Sequence, residues 1–166
     1  MTAEKDLADC PEPPSRPPRG PGAAARPPVL RALSAAECLE LLEPGGIGRV
    51  GFTSLAGVVI LPVNFAVTGN AIIFRTAPDT LLATRASTQI SFEADHIDEA
   101  RQAGWSVLVQ GHARNVIDEP DIRRLERTTG LETWAGGARD VWVRITPVRI
   151  SGRRIHPAWP RETMPR

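Results

Sequence analysis

Cysteine, lysine and long apolar runs are scarce in this chain. Its 166 residues hold two cysteines, Cys10 in a proline-rich segment and Cys38 in a predicted helix. That pair makes no disulfide framework and has no metal-ligand spacing around it, which points to a reducing compartment. No stretch is long and apolar enough to span a bilayer, and the N-terminus lacks an apolar signal-type core. The expectation is a soluble, cytoplasmic chain with no membrane partner. Net charge is +1 with a pI near 7.9, so nothing recommends nucleic acid as a partner. Lys5 is the only lysine, and the remainder of the 20 Lys+Arg residues are arginine. Arginine in place of lysine, beside abundant Ala, Gly and Pro, reads as the coding bias of a GC-rich genome. A single arginine is therefore no evidence of a site by itself.

Motifs for protein-borne catalysis are missing too. There is no G-x-S-x-G elbow and no H-E-x-x-H pair. His96, His112 and His156 stand in no context that singles out a base. Asp95-His96-Ile97-Asp98-Glu99 gathers ligand-type side chains, but a polar loop between strands explains it more simply, and no metal is assigned. Gly46-Ile47-Gly48-Arg49-Val50-Gly51 spells G-x-G-x-x-G. A dinucleotide fingerprint must follow a strand and open a helix; here the order is reversed, and the position for an acidic ribose ligand is Asn70. Weak acid–base machinery favours chemistry carried by a cofactor.

What is present is a run of short strands. Residues 1–28 are rich in Pro, Arg, Gly and Ala, cannot bury an apolar face, and are expected to be a disordered tail. The domain is expected over 29–157, with a flexible tail at 158–166. Ser34-Ala35-Ala36-Glu37 matches the capping box and opens a short helix that Pro44 and Gly45-Gly46 end. Strands are predicted at Ile47–Thr53, Val58–Val67, Ala71–Thr76, Gln89–Ala94, Trp105–Ile117 and Val141–Ile150. Thr68-Gly69-Asn70 is a hairpin turn. Asp95–Ala103 is expected to be a loop, Gly111 a bulge, and Pro147 an edge or bend. A helix starts after Pro78-Asp79 and runs to about Ser87; another runs from the cap at Asp118 to Gly130. Six strands with few, short helices fit a closed antiparallel barrel.

The segment from Val50 to Leu82 is the most informative. Pro62 sits inside its middle strand and belongs at an edge or bulge, which leaves Val63, Asn64 and Phe65 on interrupted backbone with free polar groups for a planar ligand. The last strand ends in Phe74-Arg75-Thr76 just before a helix, an arrangement suited to phosphate. Among the four tryptophans, Trp142 reads as packing, whereas Trp134 lies in a loop and could cover a cofactor ring.

LPVNF at 61–65, FRT at 74–76, PDTLL at 78–82, SFEADHID at 91–98, GWSVLVQGHA at 104–113 and WAGGARDVWVRI at 134–145, followed by SGRRI, together resemble the pyridoxamine 5′-phosphate oxidase-like family of flavin-binding split barrels, in its short actinobacterial form. The resemblance covers about Leu33 to Ile155. It implies a six-stranded antiparallel split β-barrel of Greek-key type, a homodimer with FMN at the interface, and a flavin-dependent oxidoreductase acting on a small molecule. By position, Pro62, Val63, Asn64 and Phe65 resemble the strand along the flavin ring. Arg75 and Thr76 resemble the strand end that meets ring and phosphate. Thr80 and Leu81 fall in the phosphate-binding turn. Ser106 resembles a polar position near the ring, and Trp134 and Arg139 a loop from the other subunit. Relatives commonly carry lysine where this chain has Leu81. Arg85, one helical turn on, or Arg75 alone could replace it, or the site could take the deazaflavin F420 or serve as a non-catalytic flavin or haem carrier or sensor. Arg149, Arg153, Arg154 and His156 do not match the pattern that binds a vitamin B6 phosphate, and B6 oxidation is not the first choice.

Overall fold

The computed structural model describes residues 29–84 and 89–156. Both expected tails, Cys10, Trp159, Arg85 and the helix end at Ser87 lie outside the described residues. Seven strands are described: β1 Val29–Leu33, β2 Gly46–Ser54, β3 Gly57–Thr68, β4 Ala71–Thr76, β5 Gln89–Asp98, β6 Ala103–Val116 and β7 Val141–His156. Three helices join them: α1 Ala35–Leu42, α2 Leu81–Thr84 and α3 Glu119–Thr129. All pairings are antiparallel, in the order β1-β7-β4-β3-β2-β5-β6, and β6 pairs back onto β7 to close the ring. The expected mainly-β barrel class is the observed one.

Three boundaries differ from the sequence expectation: β7 runs past Ile150 to His156, one strand is added, and one is longer. β1 is an additional strand, five residues that pair only with Gly152–His156 of β7. Asp95–Asp98 is strand rather than loop, because Ser106, Trp105, Gly104 and Ala103 of β6 stand opposite it. Backbone pairing to a long neighbour overrides the weak strand preference of these polar residues.

The local signals work as read. Ser34 and Glu37 form the reciprocal capping box of α1. Thr68 faces Ala71 across the two-residue turn Gly69-Asn70. Asp118 caps α3, and Gly130 ends it in the left-handed region. Gly111 and Pro147 meet at one irregularity: Gln110 pairs with Arg149 and Gly111 with Pro147, so β7 carries an extra residue there. The G-x-G-x-x-G run lies on β2 after α1, away from any nucleotide-type turn.

The barrel interior holds Val50, Phe74, Phe92, Val107, Val109, Val143 and Ile145, sealed at one end by Leu42 and Cys38 of α1. A smaller cluster of Ala71, Ile73, Leu125 and Trp142 seats α3 on the outside of β4 and β7. β4 is therefore covered on both faces, which explains its unbroken apolar run AIIF. No described helix is long and apolar enough to cross a membrane.

Candidate cofactor site

β3 is longer than its partner on one side. β2 pairs with it from Gly57 to Phe65, but β4 pairs only from Phe65 to Thr68. Leu61, Pro62, Val63 and Asn64 therefore show one unpaired backbone edge. Proline is tolerated there because it has no amide hydrogen to lose from a ladder. Phe65 is different. It is paired on both sides, 4% exposed, and packs edge-on against Phe92 with ring centroids 4.8 Å apart, so its side chain belongs to the core.

A cleft of about 190 Å³ opens beside this edge, lined by Leu61–Asn64, Arg75, Thr76, Thr80, Leu82, Thr133, Ala135 and Arg139. Seven residues singled out in the sequence thus converge: Pro62, Val63, Asn64, Arg75, Thr76, Thr80 and Arg139. A second hollow of about 180 Å³ adjoins it, lined by Ile47, Pro62, Val63, Asn64, Trp134 and Ala135. The two share Pro62–Asn64 and Ala135. One end of the groove carries guanidinium and hydroxyl groups, and the other is apolar apart from Asn64.

Arg75 is held from three directions. It stands opposite Trp142 in the β4–β7 register, which sets its guanidinium 5.0 Å from the indole centroid. Its Nε–H donates to the main-chain carbonyl of Arg139 at 2.8 Å. Asp140 Oδ1 lies 3.8 Å from its terminal nitrogen. Thr80 ends the turn after β4 and caps α2: its hydroxyl accepts from the Ala83 amide at 3.3 Å and donates to the Ala77 carbonyl at 2.8 Å. Asn115 of β6 fastens the same corner, donating to the Ala83 carbonyl at 2.9 Å. α2 is described as a single turn, so its dipole is small beside the charge of Arg75.

The loop between α3 and β7 lies on its own chain's groove. The Trp134 amide donates to Asn64 Oδ1 at 3.0 Å, and Arg139 Nε–H donates to the Ala135 carbonyl at 3.2 Å. The Trp134 ring is 77% exposed beside the apolar hollow. Trp142, expected to be packing, is 2% exposed.

Among the described residues, the expected Phe65, Leu81 and Ser106 line neither hollow. Leu81 points outward, 49% exposed. Ser106 lies on β6 between Asp95 and Arg153. Arg85 is outside the described residues. Thr133, Ala135, Leu82 and Ile47 line the hollows without having been singled out; the first two flank Trp134, and that adjacency was the available signal. Two carboxylates of the ligand-type cluster after Ala94 are engaged in ion pairs. Asp95 takes Arg49 at 2.7 Å and Asp98 takes Arg101 at 2.8 Å. The Arg101 amide, then its guanidinium, holds the Asp98 carboxyl below its usual range.

Known proteins share this fold. The profile of the pyridoxamine 5′-phosphate oxidase family matches residues 34–154. Rv0080 of Mycobacterium tuberculosis is 37% identical over 125 residues, 72% of this chain and 81% of that protein. The structure of an FAD-binding protein from Mycobacterium smegmatis is 39% identical, with a TM-score of 0.63 over 74% of this chain and 96% of the other. A Corynebacterium glutamicum structure named for pyridoxamine 5′-phosphate oxidase is 31% identical, with a TM-score of 0.68 over 82% and 99%.

Proposed function

We propose, for a chain that belongs to the pyridoxamine 5′-phosphate oxidase family, that the groove beside β3 binds a flavin and that the protein is a flavin-dependent oxidoreductase. The observation that carries the reading is the juxtaposition of Arg75 with the unpaired edge at Pro62–Asn64 along one groove. FMN is the first choice of cofactor, and F420 the alternative. The Mycobacterium smegmatis relative binds FAD, which adds a third flavin to test.

The residues present fit such a group. Arg75 would neutralise phosphate charge, and the Thr76–Thr80 corner would shape the pocket around it. The main-chain edge at Pro62–Asn64 would pair with ring heteroatoms, while Ile47, Val63 and Trp134 would cover the ring's apolar faces and exclude water. A bound flavin supplies hydride or electron transfer, and the protein orients it and tunes its electronics. Trp134 would border the cleft for a small-molecule substrate.

Each hollow is smaller than the about 300 Å³ at the low end of small-molecule sites. The small size of each hollow supports a homodimer in which a second copy of the chain would complete the site. A cytoplasmic place of action is part of the same proposal, supported by Cys38 as a buried, unbridged thiol.

A second reading is a flavin or haem carrier or sensor without turnover, and Leu81 favours it, since that position contributes no charge to a phosphate. Donor and acceptor screening of the flavin-loaded protein separates the two. Turnover with a nicotinamide donor or an oxidisable small molecule supports the oxidoreductase. Binding with no turnover across donors supports the carrier.

A further inference from the structure

We infer that residues 131–140 form a strap, latched in cis, that divides the groove and must release before a ligand longer than either hollow can enter. The inference rests on the cofactor reading for the ligand's identity but not for the strap itself.

The strap is the connection from α3 to β7 and has no strand or helix of its own. It is fastened at two points. The first is the bond from the Trp134 amide to Asn64 Oδ1, on the unpaired edge of β3. The second is the bond from Arg75 Nε to the Arg139 carbonyl. Between these points the bond from Arg139 Nε to the Ala135 carbonyl closes the tip on itself. The tip holds Gly136 and Gly137, and Gly137 has φ of +88°, a conformation that side chains other than glycine rarely adopt. Residues 134–138 are exposed, so few contacts other than the two latches hold the tip down; at the strap's ends Leu131 packs on the Trp142 cluster and Asp140 lies 3.8 Å from Arg75.

Both latches use groups that the groove offers to a ligand. Asn64 and Arg75 line it, yet each is engaged by strap main chain. Ala135 borders both the polar and the apolar hollow, so the strap crosses the boundary between them. A molecule with a planar ring at one end and a phosphate at the other must span that boundary. It therefore competes with the strap for Asn64, while the terminal N–H groups of Arg75 remain for a phosphate, and its passage between the hollows requires the strap to lift at Ala135. Lifting the strap's exposed tip breaks the two hydrogen bonds and the long Arg75–Asp140 ion pair, a modest barrier, so release is an accessible fluctuation.

Amide hydrogen exchange on the full chain, with stopped-flow FMN association alongside, tests this. The expected result is a Trp134 amide protected in the absence of ligand and exposed by Asn64→Leu, which removes the acceptor and keeps the size. FMN should then associate about fivefold faster, the worth of one lost hydrogen bond. Gly137→Ala, which strains the tip without touching the groove, should speed association in the same sense. An unprotected Trp134 amide in the unsubstituted protein, or an association rate unchanged in both variants, overturns the strap. If no form binds FMN, association is measured with FAD or F420; if none of the three binds, the cofactor reading fails, and exchange alone judges the latch: protection lost in Asn64→Leu supports it, and protection kept overturns it.

Discussion

The hydroxyl oxygens of Thr76 and Thr80 lie 2.8 Å apart, and their protons can be assigned by counting. Thr80 donates to the Ala77 carbonyl and accepts from the Ala83 amide. Its proton is spent, so Thr76 is the donor between the two hydroxyls. Thr76 then offers the cleft only lone pairs, which do not favour a phosphate. Thr80 is the cap of the corner, and Thr76 its buttress.

Removing the cap therefore costs stability. Thr80→Val should lower the free energy of unfolding by about 1 kcal/mol, and Thr80→Ser should keep most of it. Urea denaturation of the three proteins is the measurement. If Thr80→Val is as stable as the unsubstituted chain, the cap is not contributing.

Arg75 is the charge that the cleft depends on, and its shape matters as much as its sign. Arg75→Lys keeps the charge but loses the planar fork of donors and its stack on Trp142. FMN affinity should fall at least about tenfold, whereas riboflavin, which has no phosphate, should lose much less. Parallel fluorescence titrations of the two flavins read this out. Equal losses for both would mean that Arg75 serves the ring or the fold instead of the phosphate.

Leu81 leaves a place for a second cation. Half exposed at the mouth of the corner, Leu81→Lys should raise FMN affinity by up to about tenfold and leave riboflavin unchanged. No gain for FMN would mean that the existing arginines already satisfy the phosphate.

Much of this site was legible because strand ends and turn residues carry local signals. Pro62 announced an unpaired edge, and the β3–β4 register bears that out. FRT followed by PDT announced a strand end and a capped turn. The face that the Phe65 side chain takes was not readable from its neighbours; the strand's alternation turns it to the core against Phe92. The extra strand β1 and the extension of β5 were not legible for a different reason. Val29–Leu33 and Asp95–Asp98 have little strand pattern of their own and are strands only because long β7 and β6 lie beside them. The cis engagement of the strap was also unreadable, since it depends on Asn64 and Trp134, far apart in sequence, meeting at 3.0 Å.

Gly48 tests the strand reading of the G-x-G-x-x-G run. A Cβ there would lie 2.4 Å from the Phe92 ring and 2.9 Å from the Glu93 carbonyl, so β2 and β5 pack too closely for any side chain. Gly48→Ala should destabilise the barrel by about 1–3 kcal/mol through overpacking. Thermal unfolding checks this; an unchanged midpoint would mean that the strands part easily.

Glu37 gives the fold a pH dependence. The Arg31 guanidinium at 2.7 Å, then the Ser34 amide and hydroxyl, bring its carboxyl down to about 2 from 4.5. A carboxyl whose pKa falls on folding adds stability above its unfolded value and loses it as acid protonates the folded form. Glu37→Gln should therefore be less stable than the unsubstituted protein at pH 7, and the difference should shrink between pH 4.5 and about 2. Urea midpoints across that range are the check; a difference independent of pH would remove Glu37 as its source.

The central claim is a flavin in the groove beside β3. The most direct test is the absorption spectrum of the purified full chain, followed by titration with FMN, FAD and F420 in turn. The account predicts a flavin band, or saturable binding of one of these at about one per chain, lost in Arg75→Met and retained in a surface control such as Arg123→Met. A colourless protein that binds none of the three would contradict it.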